Sequence, residues 1–296
     1  MPAGQRQHLT PQMMIRKFTG EDGKVLELHK PSLRIGTRRR SPRGILFIDN
    51  FYRDLISDLD SDLLMPIEQK FARFYPSIVD QEKPRELSGE GGAALVDWIA
   101  AMLCRTKAFI CLAKVIVHME NEILVELVSQ LANEFRTHWF REWQDILTRA
   151  DFRWKMKVFS DECRIVLTDN PVCQTNGLGQ GGAILMVPLS KHHILFGGRQ
   201  EAVERCRDFT LGQVNAFLAA WADKSIFAAD RKSLEAVKLN LEGEGTVGTD
   251  QWCEAARKPF FGSSDRIQLA QFPSKQDLST WWEQLKSSYG EPLLEE

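Results

Sequence analysis

Two short motifs in this chain place a titratable side chain close to a proline. One runs from His8 to Gln12 (His-Leu-Thr-Pro-Gln), and the other is Thr168-Asp169-Asn170-Pro171, at the end of a predicted strand. Because proline fixes the local backbone, each motif can aim its His or Asp side chain. His8 suits a general acid or base, and Asp169 suits a base, a histidine orienter or a metal ligand. Taken singly, His8 equally fits a packing residue, and Asp169 fits an Asx-type turn.

A single arginine interrupts the most apolar stretch of the chain. Arg105 lies in the segment from Ala93 to His118, where few other residues are charged. A buried guanidinium is costly unless it is paired, so we expect a carboxylate partner, either Glu68 or Asp169. With His8, these residues would supply the base, the carboxylate and the anion-binding group of a small hydrolytic site. The alternative is a buried ion pair that only stabilises packing.

A basic loop follows the first predicted strand. Residues 30–44 carry one lysine and five arginines, punctuated by glycine and proline. Arginine forks match phosphate groups, so Arg38, Arg39, Arg40 and Arg43 are candidate contacts for phosphate or nucleic acid. No aromatic residue for base stacking occurs in the loop before Phe47. A solvated loop without a ligand is the alternative interpretation.

Composition limits the class of protein. The chain has 296 residues, of which 43% are hydrophobic and 26% charged, and its formal net charge is −2. These values are typical of a soluble globular protein, with no overall drive toward nucleic acid or anionic membranes. Six scattered cysteines indicate reduced thiols and a cytoplasmic location. No window reaches the roughly 20 apolar residues of a membrane helix, so we expect no membrane association.

The familiar sequence signatures of catalysis are missing or misplaced. Gly177 to Gly182 spells G-x-G-x-x-G, but an apolar strand is predicted after it, whereas dinucleotide binding requires a helix there. No zinc, serine-hydrolase or P-loop pattern is present. These motifs leave the cofactor unknown, and a divalent metal at Asp169 is one candidate.

Hydrophobic periodicity predicts an α+β fold with three regions. The N-terminal region reads as an extended segment from residue 8, a turn at 21–23, a strand at 25–28 and another at 44–48. Helices are predicted at 50–79, 93–118 and 120–149, with a polar linker at 80–92. After residue 150 we predict a hairpin of 152–159 with 163–168, strands at 183–188, 193–196 and 225–228, and helices at 200–221 and 231–241.

These elements predict one domain covering residues 1–296. An antiparallel or mixed sheet, built from the N-terminal strands and those after 150, would pack on a bundle of long helices. The helical middle would span about 50–150 and the strand-rich part 151–230. A loosely structured C-terminal segment would span 242–296.

Several motifs, in their order along the chain, resemble those of a known family. They are the H-x-x-P-Q-x-x-I-x-x-F start from His8 to Phe18, Ile67-Glu68, Arg105-Thr106, Thr168 to Pro171, and Val187 to Ser190. Over roughly residues 7 to 230 the chain resembles the bacterial "domain of unknown function 4238" family. It departs from the family at Met13-Met14, where paired aromatics are usual, and at Thr168, where serine is frequent. The resemblance implies a bacterial cytosolic protein and supplies no reaction. Antiviral defence is an expectation from the family's general character.

Two hypotheses from different classes follow. In the first, the protein is an enzyme that cleaves a phosphate-containing substrate, either nucleic acid or a nucleotide. His8 would be the acid or base, Arg105 would hold the phosphate, Asp169 would orient His8 or bind a divalent metal, and Glu68 would support them.

In the second hypothesis, the protein is not a catalyst and the same residues form a buried structural network. Function would then lie in a surface that contacts nucleic acid or a partner protein. The candidate surfaces are the arginine loop and an aromatic-rich tail (Trp252, Phe260, Phe261, Trp281 and Trp282). The sequence indicates no oligomeric state.

Overall fold

The structure is a computed structural model that describes residues 6–8, 10–49, 64–79, 89–105, 139–160, 162–175 and 183–242. Its elements are short strands and helices. In chain order they are β1 (Arg6–His8), α1 (Gln12–Arg16), β2 (Leu26–His29), β3 (Arg34–Ile35), β4 (Phe47–Asp49), α2 (Met65–Val79), α3 (Gly89–Arg105), α4 (residues 139–148), β5 (Phe152–Val158), β6 (Leu167–Thr168), β7 (Cys173–Thr175), β8 (Ile184–Pro188), β9 (His193–Arg199), α5 (Gln200–Arg205), α6 (Leu211–Trp221), β10 (Ser225–Ala228) and α7 (Arg231–Glu242).

The first four-stranded sheet joins the two ends of the described chain. Its order is β3-β2-β10-β6 and every pair is antiparallel. Leu26 and Leu28 pair with Ala228 and Ile226, and all four side chains are buried. Helix α7 packs against β2, β3 and β10. N-terminal strands and strands after residue 150 therefore share one sheet, which confirms the predicted α+β class.

The second four-stranded sheet is built from the middle of the sequence. Its order is β5-β9-β8-β7, again antiparallel throughout. Strand β8 is buried at every position, as expected of an apolar run covered on both faces. Gly197 in β9 lies beneath Trp154, and an added Cβ there would approach the Trp154 ring to 2.6 Å. A third, two-stranded sheet pairs β1 with β4, so that His8 lies opposite Phe47.

Helices α2 and α3 pack against each other through aromatic rings. Phe71 stacks on Trp98 with a centroid separation of 4.6 Å. Tyr75, also on α2, donates a hydrogen bond from its hydroxyl to the Leu189 carbonyl, just after β8. Pro66 lies in the first turn of α2, where its missing N–H costs no hydrogen bond. Buried apolar side chains from both large sheets and from the helices belong to one core cluster.

Two predicted boundaries in the helices are wrong. The linker predicted at residues 80–92 ends earlier, because α3 already begins at Gly89; at Gly91 the nearest atom to an added Cβ would be Phe74 Cδ1, at 3.4 Å. The helix predicted at 200–221 is split into α5 and α6 by a 3-10 turn at Cys206–Asp208. Thr210 starts α6 with a capping box, in which its hydroxyl accepts from Gln213 N–H and its own N–H donates to Gln213 Oε1. A cap of this kind starts a new helix.

Two strand predictions also fail. Residues 12–16 form α1 and are not extended. The hairpin of 152–159 with 163–168 does not exist, because β5 pairs with β9 while β6 pairs with β10 in the other sheet. Three backbone polar groups of the segment before β6 are bonded by side chains from α6 and α7, while Ile165 N–H donates to Lys191 C=O. Val166 N–H donates to Asn215 Oδ1, Asn215 Nδ2 donates to Arg164 C=O, and Arg164 N–H donates to Ser233 Oγ.

Some of the remaining predictions are confirmed, and others fall on residues that the structure does not describe. Strands β2, β8, β9 and β10 and helix α7 form where they were predicted. No described helix has the length and apolar character needed to cross a membrane. Residues 50–63 and 106–138, where helices were predicted, and the tail from residue 243 lie outside the described residues. The single-domain organisation stays a prediction.

Candidate functional site

A basic cleft lies over the β2–β3 edge of the first sheet. Its volume is about 820 Å³. Five lining side chains are cationic and one is a carboxylate; these are Lys24, Arg34, Arg38, Arg39, Arg40 and Glu27. The other lining residues are hydroxyl residues, glycines and His29. Three of the four arginines predicted to contact phosphate therefore line one cleft, and the fourth, Arg43, lies in the turn that ends the loop and is exposed.

The strand register explains why these charges share a face. His29 lies opposite Arg34, and Arg40 forms an isolated bridge with Val25 through Val25 N–H to Arg40 C=O and the reverse bond. Opposite residues in an antiparallel pair project to the same side. Glu27 and His29 therefore share their side of the sheet with Arg34 and Arg40. The intervening positions carry Leu28 and Ile35, which pack into the core.

Arg39 is committed to structural contacts. Its Nε lies 2.8 Å from Asp22 Oδ2, and its Nη2 donates to Asp22 Oδ1 at 2.9 Å and to Ala229 C=O at 2.9 Å. Slight desolvation of Asp22 would raise the pKa of its carboxyl. The hydrogen bonds from Lys24 N–H and Arg39 outweigh this and lower the pKa of Asp22. Gly20 makes room for the guanidinium, since an added Cβ would lie 2.5 Å from Arg39 Nη2.

Arg40 also makes structural contacts that hold the loop. Its Nη1 pairs with Glu27 Oε2 at 2.5 Å, and its Nη2 donates to Gly44 C=O at 2.5 Å. The other oxygen of Glu27 accepts from Ser225 Oγ at 2.8 Å. Arg40 thus ties the loop to β2 and, through Glu27, to β10. Among the described lining residues Glu27 is the one carboxylate, and both of its oxygens are engaged by the protein.

Arg34 and Arg38 differ from their neighbours. Both are exposed, and neither pairs with a carboxylate anywhere in the described ranges. Arg38 directly precedes two arginines that are anchored by Asp22 and Glu27. The arginine run therefore divides into side chains that hold the loop and side chains whose donors face solvent.

Asp169 closes a turn of the fold. Its Oδ1 accepts from Asp223 N–H at 2.8 Å, and its Oδ2 accepts from Lys224 N–H at 2.7 Å and Ser225 N–H at 2.9 Å. Burial raises the pKa of Asp169 to about 6, with a further contribution from the Asp223 charge, while the three N–H donors oppose the shift. Its carboxylate links the end of β6 to the turn before β10, 54 to 56 residues further along, whereas the predicted Asx-type turn would bond the backbone two residues on.

The rest of the Thr-Asp-Asn-Pro motif and Lys30 support the same turn. Thr168 Oγ1 donates to Asn170 C=O at 2.6 Å, and Asn170 Nδ2 donates to Trp221 C=O at 3.1 Å. Lys30 Nζ donates to the carbonyls of Ala220 and Ala222 at the end of α6. Desolvation lowers the pKa of Lys30, against the opposing charges of Asp169 and Asp223. Lys30 follows β2, so this network connects the turn to the strand beneath the cleft.

The other predicted catalytic residues lie on separate elements. His8 ends β1, Arg105 ends α3, and Glu68 lies half-buried in the first turn of α2. The side chains of His8 and Arg105 lie outside the described set, so the proposed cluster with Asp169 stays a prediction. Across the described residues, no three His, Cys, Asp or Glu side chains are grouped to hold a metal ion. The aromatic-rich tail also lies outside the description.

Sequence reasoning missed the side chains that organise this region. Asp22 and Glu27 decide which arginines are paired, and Asn215 and Ser233 bond the backbone before β6. The capping pattern Thr210 to Gln213 was visible in the sequence as T-x-x-Q. For the others, the partners are distant in sequence and carried no signal.

The described residues form an antiparallel α+β fold with a basic cleft at the edge of one sheet. These two features define the class of protein. Within that class, the model of the family described as "Protein of unknown function (DUF4238)" matches residues 6–232. The chain belongs to this family, as its ordered motifs predicted. No curated protein and no solved structure matches the chain.

Proposed function

We propose that this protein binds a phosphate-bearing ligand in the basic cleft. The observation that carries the proposal is the pair Arg34 and Arg38, both exposed and without a described carboxylate partner. A guanidinium in this state keeps its fork of N–H donors for a ligand. Phosphate oxygens match that fork and form charge-assisted hydrogen bonds with it.

The anchored arginines support the proposal by holding the loop in place before a ligand arrives. Arg39 and Arg40 are fixed by Asp22 and Glu27, and Arg38 is the next residue in the chain. Ordering a mobile loop would subtract from the binding free energy. A loop already held by two ion pairs avoids much of that cost.

The charge of the cleft supports the proposal, although the net charge of the whole chain does not. The whole chain carries a formal net charge of −2, whereas the cleft gathers five cations around one carboxylate that is already paired. A cleft lined by one sign of charge raises the local concentration of the opposite ion. Hydroxyls of Ser32, Thr37 and Ser41 add neutral donors for phosphate oxygens.

Calorimetric titration with inorganic tripolyphosphate at low ionic strength tests the proposal. We expect the Arg34→Ala/Arg38→Ala double variant to bind at least about tenfold more weakly, which corresponds to about 1.4 kcal/mol. Arg73→Ala is the matched control, since Arg73 is exposed on α2, away from the cleft. Equal affinities of the double variant and the wild-type protein would contradict the proposal.

Cleavage of a phosphate-containing substrate by His8, Arg105, Asp169 and Glu68 stays a prediction from the sequence, as does a role in antiviral defence. Turnover of RNA, DNA and nucleotides, each with and without Mg²⁺ or Mn²⁺, is the direct test. His8→Ala should then abolish turnover and leave the melting temperature unchanged. Asp169→Ala is a poorer probe because its carboxylate bonds three backbone N–H groups of the fold. Absence of turnover across the panel would remove the enzymatic hypothesis.

A further inference from the structure

We infer that the ligand of the basic cleft is the phosphodiester backbone of a nucleic acid, held without contacts that read its bases. This inference rests on the proposed function and narrows it to one chemical class. Three features of the cleft support it: the spread of its cations, the chemistry of its walls and the absence of an apolar rim.

The cations are distributed along the sheet edge. Lys24 precedes β2, Arg34 lies opposite His29 at the far end of that strand, and Arg38 lies in the returning loop. The four residue steps from Val25 to His29 span roughly 13 Å at the usual rise of a strand. Cations spread over that length can each contact a different phosphate. A chain of phosphates can engage them together.

The cleft walls offer no pocket for a base. Apart from glycines, every described lining residue is polar or charged, and the only ring among them is the His29 imidazole. Small-molecule sites are usually lined by apolar and aromatic side chains, which supply most of the contact with a ring system. A mononucleotide would therefore bind here through its phosphates alone. A polymer repeats those phosphates along the cleft and gains with each one.

A phospholipid surface fits the cleft less well. Proteins that lie on membranes insert apolar side chains beside their basic residues. In the described portion of the chain, the large exposed apolar residues are Met65 and Leu239, on α2 and α7, and neither lines the cleft. Charge without an apolar rim favours a soluble polyanion.

Recognition of the phosphodiester backbone alone predicts the affinity, its salt dependence and its dependence on base composition. Without base contacts, affinity should lie in the non-specific range, about 10⁻⁴ to 10⁻⁶ M at physiological salt. Three phosphate contacts, by Lys24, Arg34 and Arg38, predict a slope of log K against log[salt] of about −2 for a single strand, from about −0.7 per contact. Oligonucleotides of different base composition should bind within about threefold of one another, because only base-edge contacts discriminate between sequences.

Fluorescence anisotropy with labelled 20-nucleotide probes provides the test. The probes are single-stranded RNA, single-stranded DNA and duplex DNA, each titrated at several salt concentrations. Competition is measured with ADP and with inorganic tripolyphosphate, and vesicles of phosphatidylserine and phosphatidylcholine are assayed by sedimentation. We expect oligonucleotide binding with a slope near −2 in the wild-type protein, reduced to about −0.7 in the Arg34→Ala/Arg38→Ala variant. Arg73→Ala should match the wild type.

Every other outcome would contradict either the inference alone or the proposed function as well. Tripolyphosphate or ADP binding as tightly as any oligonucleotide would overturn the polymer inference and leave phosphate binding intact. Vesicle binding without oligonucleotide binding would overturn it in favour of a membrane. A strong preference among base compositions would overturn recognition by the backbone alone. No binding of any of these probes would remove the proposed function together with the inference.

Discussion

Arg39 contacts the Asp22 carboxylate at two points, with Nε 2.8 Å from Oδ2 and Nη2 2.9 Å from Oδ1. The Nη2–Oδ1 contact is a hydrogen bond, and the Nε–Oδ2 contact is a close approach within the same ion pair. The same Arg39 Nη2 also donates to the carbonyls of Lys24 and Ala229, which join the loop to the start of β2 and the end of β10, at one end of that strand pair. This one side chain therefore determines where its neighbour Arg38 emerges from the loop.

The first prediction separates Arg39 from Arg38. We expect Arg39→Ala to lower the free energy of unfolding by about 1–2 kcal/mol, because charge-assisted bonds to backbone carbonyls are lost. Arg38→Ala should leave unfolding unchanged and weaken tripolyphosphate binding. Urea denaturation and calorimetric titration of both variants measure the two effects. If Arg38→Ala proved the more destabilising change, our division of the arginine run would be wrong.

The second prediction uses a glycine to displace Arg39 without removing its charge. An added Cβ at Gly20 would lie 2.5 Å from Arg39 Nη2 and 3.1 Å from Ala229 C=O, so Gly20→Ala must shift the guanidinium. We expect tripolyphosphate affinity to fall about fivefold, the equivalent of about 1 kcal/mol. Gly91→Ala is the control, since Gly91 lies in α3, does not line the cleft and would meet Phe74 Cδ1 at an ordinary 3.4 Å. Indistinguishable binding by the two alanine variants would show that Arg39 does not position the loop.

Much of the sheet structure could be predicted because apolar runs have few ways to be buried. The runs at Ile184–Pro188 and His193–Arg199 are almost entirely buried and form the centre of the second sheet. The alternation of polar and apolar residues did not identify which strand pairs with which. The run before β6 fits a hairpin with β5, yet its backbone bonds to Asn215 and Ser233, which lie about 50 and 70 residues further along. Side-chain bonds at such separations leave no periodic signal.

The candidate site was predictable to the level of its residue types. The arginine run and its glycine and proline punctuation predicted candidate phosphate contacts, with a solvated loop as the alternative. Which arginine stays available depends on Asp22 and Glu27, whose proximity to Arg39 and Arg40 arises only from the β2–β3 pairing. The pairing of Asp169 with three backbone N–H groups depends likewise on the turn before β10. The nearby proline predicted that the Asp169 side chain is held in one position. The fold determines which groups it bonds.

The third prediction concerns pH and Asp169. Burial raises the pKa of this carboxyl to about 6 in the folded protein, whereas in the unfolded chain it titrates near its ordinary value of 3.8. Between these values the folded state binds more protons, so this group's contribution to stability is present below about pH 4 and is lost as pH rises through about 6. The loss amounts to about 3 kcal/mol, from about 1.4 kcal/mol per pKa unit.

Asp169→Asn isolates this effect because it removes the titrating group and retains one acceptor oxygen. Denaturant unfolding at pH 4 and pH 7 is compared for the variant and the wild type. We expect the wild-type protein to lose more stability than the variant between the two values, by about 2 kcal/mol. Equal losses, or a wild-type gain toward pH 7, would mean that the three N–H donors hold the carboxylate ionised.

The fourth prediction concerns Asn215, which replaces a strand partner for the segment before β6. Its Oδ1 accepts from Val166 N–H at 3.0 Å and its Nδ2 donates to Arg164 C=O at 2.9 Å, and the residue is only 4% exposed. Asn215→Ala removes both bonds and leaves the buried Val166 N–H without this acceptor. We expect the free energy of unfolding to fall by about 2–4 kcal/mol, because unsatisfied buried polar groups are costly.

Denaturant unfolding measures this loss against a matched asparagine. Asn240 lies half-buried near the end of α7, and Asn240→Ala should change stability by no more than about 0.5 kcal/mol. Amide hydrogen exchange adds a local measure: protection of Val166 N–H should fall in Asn215→Ala and persist in Asn240→Ala, because only the first loses the acceptor. If Val166 stayed protected in Asn215→Ala, another group would have to bond this amide, and the asparagine would not be what holds β6 away from β5.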